Sequence, residues 1–128
     1  MKWSELTTGR KVLEEHLKDP AFRAEWERTA LARAVAIRIT KYRAEHGLSQ
    51  TRLATQLGMK QPAVARLEAG DTNPSVETLI RISRALGIEF LLDVAPVGQR
   101  ALAGRRAEKA AVVQSFRSGG SSVLVAIQ

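Results

Sequence analysis

The side chains best suited to bind another molecule lie in the stretch from Lys60 to Arg66. Lys60 and Arg66 carry positive charges that attract phosphate, and Gln61 carries an amide that donates and accepts hydrogen bonds at once. Pro62 and Ala63, between them, are short. Groups of this size and polarity are able to enter the major groove of a nucleic acid duplex, so the stretch predicts contacts with base edges and phosphates.

The apolar residues around this stretch have the spacing of two short helices. Leu53 and Leu57 are one helical turn apart and share a face, and Val64 and Leu67 repeat that relation further along. Gly58 lies between the two pairs, where a left-handed backbone would end the first helix and turn the chain. The segment therefore has the spacing of a helix-turn-helix, whose second helix presents its polar residues outward.

The charge of the chain favours a phosphate-binding surface. Its 128 residues include 20 basic and 13 acidic side chains, which gives a net charge of +7. Residues 1–30 hold six of each sign. The excess lies in residues 31–99, with nine basic and six acidic residues, and in residues 100–128, with five and one. A solvated surface that only keeps the protein soluble is the alternative explanation of this excess.

Residues suited to catalysis or metal binding are scarce. The chain has no cysteine, and its two histidines, His16 and His46, lie in separate segments without carboxylates at metal-ligand spacing. None of the serines lies in a nucleophile-elbow pattern. No apolar run resembles a signal peptide or a membrane span. We therefore expect a cytoplasmic protein that is not an enzyme and that uses no metal or cofactor.

Capping residues and glycines predict where the helices begin and end. Ser4 to Lys18 is predicted as a short amphipathic helix, and Asp19-Pro20 marks the start of the next. From there to His46 the sequence lacks glycine and proline, which predicts one long helix or two nearly collinear ones with a break at Thr29-Ala30. Three further helices are predicted, one capped by Ser49, one from about Gln61 to Ala69, and one capped by Ser75 that runs through Leu86.

The sequence pattern changes after residue 87. From Ile88 to Val94 apolar residues alternate with others, which predicts a strand that is broken at Pro96. Gln99 to about Val113 is compatible with a basic helix, Ser118 to Ser121 with a flexible turn, and Val123 to Ile127 with a second strand. The pattern leaves open whether the strands pair within the chain or across a dimer. The cationic tail, with Arg100, Arg105, Arg106 and Lys109, is either a second phosphate contact or the solvated face of a helix.

Residues 31–87 resemble the DNA-binding domain of the phage Cro and CI repressors and their bacterial relatives. The string that carries this resemblance is GLSQTRLATQLGMKQPAVARLEAGDTNPSVETLIRISRALG, with LEAG after the second helix of the motif and a PS-x-x-TL opening of the next. The leader DPAFRAEWE and the short strand after the domain resemble HigA-type antitoxins, many of which end soon after that strand. The resemblance implies a mainly α fold, a lambda-repressor-like helix-turn-helix bundle with an N-terminal helical leader and a small C-terminal β element.

The resemblance also implies roles for single residues. Gln61 would read a base edge, because a glutamine amide pairs with N6 and N7 of adenine. Pro62 departs from the usual polar residue, and its ring is able only to pack on a thymine methyl or to stiffen the helix start. Arg43 and Glu68 would tie the first helix of the domain to the end of the recognition helix. The full set implied to contact DNA is Ser49, Gln50, Thr51, Lys60, Gln61, Pro62, Ala63, Arg66 and Asn73.

Some of these residues also have an interpretation without a role in DNA recognition, and a separate prediction concerns the leader. In the alternative interpretation, Gln61 and Arg66 are ordinary exposed residues, and Arg66 contacts at most a phosphate. Trp3, Phe22 and Trp26 lie in the leader and would bind a small RelE-like toxin, with packing in a small satellite core as the equal alternative. The acidic side chains of the leader would suit such a toxin, since toxins of this class are usually basic.

These patterns divide the chain into a helical leader (1–30), a DNA-binding domain (31–87) and a C-terminal segment for dimerisation or partner binding (88–128). The predicted function is a sequence-specific transcriptional repressor that acts as the antitoxin of a type II module. A homodimer would read a palindromic operator in double-stranded DNA, with half-sites roughly 34 Å apart. The alternatives are a stand-alone or phage-type regulator without a toxin, and an interaction protein that no longer binds DNA. The net positive charge of residues 31–99 argues against the last of these.

Overall fold

The computed structural model describes residues 3–96, 112–118 and 121–127. The helices are α1 (Trp3–His16), α2 (Pro20–Arg28), α3 (Ala30–His46), α4 (Gln50–Leu57), α5 (Gln61–Ala69) and α6 (Val76–Leu86), and the strands are β1 (Phe90–Pro96), β2 (Val112–Ser118) and β3 (Ser121–Ile127). This arrangement confirms the predicted mainly α fold with a helical leader and a small C-terminal β element. Over the described ranges, no helix is both long enough and apolar enough to cross a lipid bilayer.

Short-range signals set the helix boundaries. Asp19 caps α2 by accepting a hydrogen bond from a backbone N–H of the first turn at 3.0 Å, and Pro20 follows where its missing N–H costs nothing. Ser49 and Ser75 cap α4 and α6 in the same way. The predicted break at Thr29 is confirmed, because this residue separates the end of α2 from the start of α3.

Gly70 ends α5 at a point where α5 lies close to α3. Its φ is +70°, a left-handed conformation that side-chain-bearing residues rarely adopt. A Cβ atom placed there would lie 3.3 Å from the Cβ of Ala36 in α3. Glycine therefore permits both the turn after α5 and the close approach of the two helices.

The sheet has the strand order β1-β3-β2, and β3 is antiparallel to both neighbours. Phe90 pairs with Ile127, and Val94 pairs with Val123, so the two predicted strands pair with each other within the chain. β2 forms the other edge of the sheet and was not predicted. Residues 119 and 120 of the predicted turn lie outside the described residues.

Two details of the C-terminal prediction are wrong, whereas the predicted break at Pro96 agrees with the end of β1. The first strand starts two residues later than predicted, and Ile88 lies buried in the core before it begins. Pro96 is the last residue of β1, since the end of an edge strand tolerates a residue without an N–H. Residues 112 and 113 belong to β2 rather than to a basic helix, and the rest of that helix, residues 99–111, lies outside the described residues.

One hydrophobic core joins the helices to the sheet. Ile39 of α3 and Leu53 of α4 are fully buried in it. Ile88, Val125 and Ile127 belong to the same cluster and are at most 1% exposed. Because α3 also contacts β2 and β3, the sheet closes the core of the helix bundle.

Candidate nucleic-acid interface

The first turn of α4 presents polar groups to solvent. The Ser49 hydroxyl accepts a hydrogen bond from the backbone N–H of Arg52 at 3.1 Å, and no acceptor in the described part of the chain takes its own hydrogen. The N–H groups of Gln50 and Thr51 come before the first residues that find helical acceptors, so they are open to an anion. Thr51 and Arg52 are exposed, and Arg52 adds a positive charge outside the set of residues predicted to contact DNA. This end of α4 suits a phosphate oxygen.

The outward side of α5 carries the residues predicted to read bases. Lys60 precedes the helix as its cap residue, makes no side-chain capping hydrogen bond and is exposed. Gln61 and Pro62 are exposed in the first turn, whereas Ala63 is half-buried. Arg66 is exposed one turn further along the helix. The long polar side chains of the predicted set are therefore accessible along this helix, and α5 packs directly against α4.

A chain of hydrogen bonds links Gln61 to the interior of the protein. The Nε2 of Gln61 donates to the Oε1 of Gln50 at 2.8 Å, and the Nε2 of Gln50 donates to the Oε2 of Glu68. Arg43 holds the same carboxylate, because its Nη2 donates to Oε2 at 3.1 Å and its Nε donates to Oε1. We refer to these four residues, Arg43, Glu68, Gln50 and Gln61, as the glutamine relay.

The ion pair at the base of the glutamine relay is largely shielded from solvent. The side chain of Glu68 is 9% exposed and that of Arg43 is 24% exposed. The Nη1 of Arg43 also donates to the carbonyl oxygen of Leu48 at 3.1 Å, which fixes the plane of the guanidinium. The hydrogen bonds to Glu68 raise the pKa of Arg43 above its ordinary value. A carboxylate fixed in this way holds the Gln50 amide in one orientation, and Gln50 then orients Gln61.

The glutamine relay leaves two groups of Gln61 available. An amide nitrogen carries two hydrogens, and Gln50 accepts only one of them. The second hydrogen and the Oε1 of Gln61 have no partner within residues 3–96, 112–118 and 121–127. These are the groups that the N7 and N6 of adenine require. The sequence predicts the pair of Arg43 with Glu68 but not the bond from Gln50. The available signal was that a carboxylate has about four acceptor sites and a two-pronged arginine contact fills only two of them.

Asn73 lies in the loop after α5 and makes two hydrogen bonds within the chain. Its Oδ1 accepts from the backbone N–H of Ala32 at 3.1 Å, and its Nδ2 donates to the carbonyl oxygen of Arg28 at 2.9 Å. The break between α2 and α3 leaves these two backbone groups without helical partners, and Thr29 provides no side-chain cap for α3. Asn73 thus caps α3 although it lies 41 positions further along the chain than Ala32. Its second amide hydrogen is the group that would contact DNA.

The aromatic residues of the leader form a stack. The ring centre of Phe22 lies 5.2 Å from that of His16 and 6.0 Å from that of Trp26. The guanidinium carbon of Arg33 lies 3.5 Å from the centre of the Trp26 ring, and burial lowers the pKa of Arg33 below its ordinary value. Phe22 and Trp26 are half-buried, so part of each ring is accessible. Trp3 belongs to α1, and its side chain lies outside the described part of the chain.

Residues 39–92 match the helix-turn-helix family. This range runs from the middle of α3 into β1 and contains all four residues of the glutamine relay together with the exposed side of α5. No solved structure matches the chain significantly.

Several curated proteins are similar to parts of the chain. An HTH-type transcriptional regulator of Haemophilus influenzae is 49% identical over 45 residues, which cover 35% of this chain and 46% of the relative. Antitoxin HigA1 of Mycobacterium tuberculosis is 32% identical over 81 residues, or 63% of this chain and 54% of the relative. The chain spans about half the length of these two proteins. An HTH-type transcriptional regulator of Methanothermobacter thermautotrophicus is 39% identical over 56 residues, or 44% of this chain and 81% of the relative.

Proposed function

Because the chain belongs to the helix-turn-helix family of transcriptional regulators, we propose that it is a sequence-specific DNA-binding repressor that reads a palindromic operator as a homodimer. The observation that carries this proposal is the glutamine relay. It holds Gln61 at the exposed start of α5 through an ion pair that is shielded from solvent. A side chain oriented before binding loses little conformational freedom when it meets a base, which favours selective recognition.

The phosphate contacts of the proposed complex come from the start of α4 and from the cations on either side of Gln61. Ser49 and the free N–H groups of the first turn of α4 bind one phosphate, and Thr51 lies beside them. Lys60 and Arg66 bind phosphate or guanine, while Pro62 and Ala63 pack against the groove floor. One domain of this size buries too little surface for tight binding, so two copies are proposed to act together.

A footprint on the DNA upstream of its own coding sequence tests this function. The proposed homodimer is expected to protect two half-sites whose centres are roughly 34 Å apart, or a multiple of one helical turn. Competition with random duplex DNA in the same buffer serves as the control. Binding that is equally strong on random DNA and that disappears at moderate salt would contradict a sequence-specific regulator.

Gln61→Ala is expected to weaken binding to the specific operator by about 1–3 kcal/mol while leaving the affinity for random duplex nearly unchanged. The reason is that Gln61 contacts a base and contributes little to the phosphate contacts. Fluorescence anisotropy with both DNA molecules measures the two affinities. Gln56→Ala is the matched control, because Gln56 is also an exposed glutamine but lies on α4 outside the glutamine relay. Equal losses on operator and random DNA would remove Gln61 from base recognition.

We further propose that the protein is the antitoxin of a type II module and neutralises a small RelE-like toxin. This proposal is supported by the similarity to antitoxin HigA1, which extends over 63% of the chain and so beyond the helix-turn-helix. A stand-alone regulator without a toxin is the second candidate, and the shorter matches to HTH-type transcriptional regulators favour it. Expression of the product of the neighbouring reading frame separates the two. It should stop growth when expressed alone and should not when this chain is co-expressed.

The leader is the proposed toxin-binding segment, through the exposed parts of Phe22 and Trp26 and, by its sequence, Trp3. Charge supports this assignment less than the acidic residues of the sequence alone suggest. Three acidic side chains of the leader pair with basic residues of the same or the adjacent turn, in the pairs Glu15–Lys18, Glu27–Arg23 and Glu25–Arg28. All three pairs are at the surface, so they contribute little and break easily on binding. The aromatic stack is therefore the main contact in this proposal.

Trp26→Ala is expected to weaken the complex with the neighbouring gene product by at least about 2 kcal/mol, roughly thirtyfold in affinity, because aromatic anchors dominate protein interfaces. Binding of the free protein to its operator should persist. Co-purification and titration calorimetry measure the first effect, and anisotropy measures the second. Trp26→Phe keeps the stack on Phe22 and is the control for folding. A folded Trp26→Ala protein that holds its partner as tightly as wild type would place the interface elsewhere.

A further inference from the structure

An exposed apolar patch lies between α6 and β1, on a part of the molecule that the proposed DNA contacts do not use. Val76 is 71% exposed, Ile80 51%, Leu92 41% and Val94 66%. Val76, Ile80 and Leu92 line one groove, whose floor includes Leu79 and Phe90. We call these residues the α6–β1 patch. Apolar side chains that are exposed together around one groove are typical of interaction surfaces.

Charged residues of opposite sign lie on either side of the patch along α6, an arrangement that suits the pairing of two copies of this helix. Glu77 precedes Ile80 by three residues and Arg84 follows it by four, so all three lie on the same side of α6. Both charged residues are exposed, and neither forms an ion pair with any residue that the structure describes. Arg81, by contrast, donates to the carbonyl oxygen of Gly58 at 3.0 Å and is held against α4.

We propose that the α6–β1 patch is the two-fold contact between two copies of this chain, an inference that rests on the proposed homodimeric DNA-binding function. When two α6 helices cross antiparallel at Ile80, Glu77 of each copy lies opposite Arg84 of the other. With a rise of about 1.5 Å per residue, the acid is about 4.5 Å from Ile80 along the axis and the base about 6 Å, so the two charges meet within the reach of their side chains. The apolar centre is then surrounded by two identical ion pairs.

This self-complementarity favours a second copy over a different protein. An isologous contact uses the same surface on both partners, so charges that pair across it lie at similar distances on opposite sides of its centre. The α6–β1 patch meets that condition with Glu77 and Arg84 around Ile80. An unrelated partner would impose no such relation on the two charges.

Ile80→Asp tests the apolar centre. The dimer dissociation constant measured by sedimentation equilibrium is expected to rise by at least about a hundredfold, because two carboxylates would replace two apolar side chains at the middle of the contact. Ile37→Asp is the matched control, since Ile37 on α3 is 52% exposed, almost the same as Ile80. It should leave the dissociation constant unchanged. An Ile80→Asp protein as dimeric as wild type, or a loss of only toxin binding, would overturn the proposal.

A charge exchange tests the symmetry of the contact. Glu77→Arg or Arg84→Glu alone should weaken the dimer about tenfold or more, because each places like charges opposite one another twice. The double variant should recover most of the wild-type affinity, since the two pairs re-form with reversed sign. A double variant that stays as weak as the single ones overturns the proposal. If the wild-type protein is a monomer and still protects its upstream DNA, the proposed contact is wrong but the proposed DNA binding stands. If the variants weaken the dimer as expected but the protein does not bind DNA, only the proposed function is wrong.

Discussion

Glu68→Ala is expected to lower the free energy of unfolding by about 2–4 kcal/mol, because it removes the acceptor of a largely buried ion pair. Three hydrogen bonds end on this carboxylate, two from Arg43 and one from Gln50. Without it, the guanidinium and the Gln50 amide are left in a site where little water reaches them. The range lies below that of a fully buried pair, because the Arg43 side chain is 24% exposed and keeps its bond to the Leu48 carbonyl oxygen.

The same substitution should reduce operator affinity beyond its effect on stability. Gln50 would no longer be held by Glu68, so Gln61 would lose its orientation and selective binding would fall toward that of Gln61→Ala. Urea unfolding and anisotropy on operator and random DNA measure the two effects. Glu45→Ala is the matched control: it removes a carboxylate from the exposed pair with Lys41 at 3.8 Å and should cost less than about 0.5 kcal/mol. Equal costs for Glu68→Ala and Glu45→Ala would show that the relay is not structural.

Features that depend on neighbouring residues were predictable from the sequence. Asp19 and Ser49 cap helices through hydrogen bonds to backbone N–H groups two or three residues away, so the capping residue and the helix start are visible in one short string. The break at Thr29 was also predicted, although the Thr29 hydroxyl donates back to the carbonyl oxygen of Glu25 at 3.0 Å and does not cap α3. The apolar spacing of the helix-turn-helix is likewise local, and Leu53, Leu57 and Val64 are buried in the structure.

Features that depend on distant residues were not predictable in this way. Asn73 caps α3 from 41 positions along the chain, and nothing near Ala32 indicates it. The bond from Gln50 to Glu68 spans 18 positions and needs the packing of α4 on α5 to form. β2 was not predicted, because a strand at this position is defined by its pairing with β3, for example of Phe116 with Val123, and not by a pattern within its own residues.

The central place of β3 in the sheet is a further feature that its position in the sequence does not indicate. β3 lies between the other two strands, and Val125 and Ile127 are fully buried in the same cluster as Ile39 and Leu53. Removing residues 98–128 would therefore strip the helix-turn-helix of part of its core. A change in salt dependence or oligomeric state after such a deletion would not report on the tail itself, so a point substitution is the more informative test.

Ile127→Ala is expected to lower the free energy of unfolding by about 2–5 kcal/mol, because it removes buried carbon atoms and leaves a cavity between the sheet and the helices. That is a large part of the total stability of a small domain, about 5–15 kcal/mol. Operator binding should be lost on warming well before it is lost in wild type. Ile37→Ala is the control, since the same side chain is 52% exposed on α3 and its loss should cost less than about 1 kcal/mol. If both variants unfold at the same urea concentration, β3 is an appendage and the helix-turn-helix folds without it.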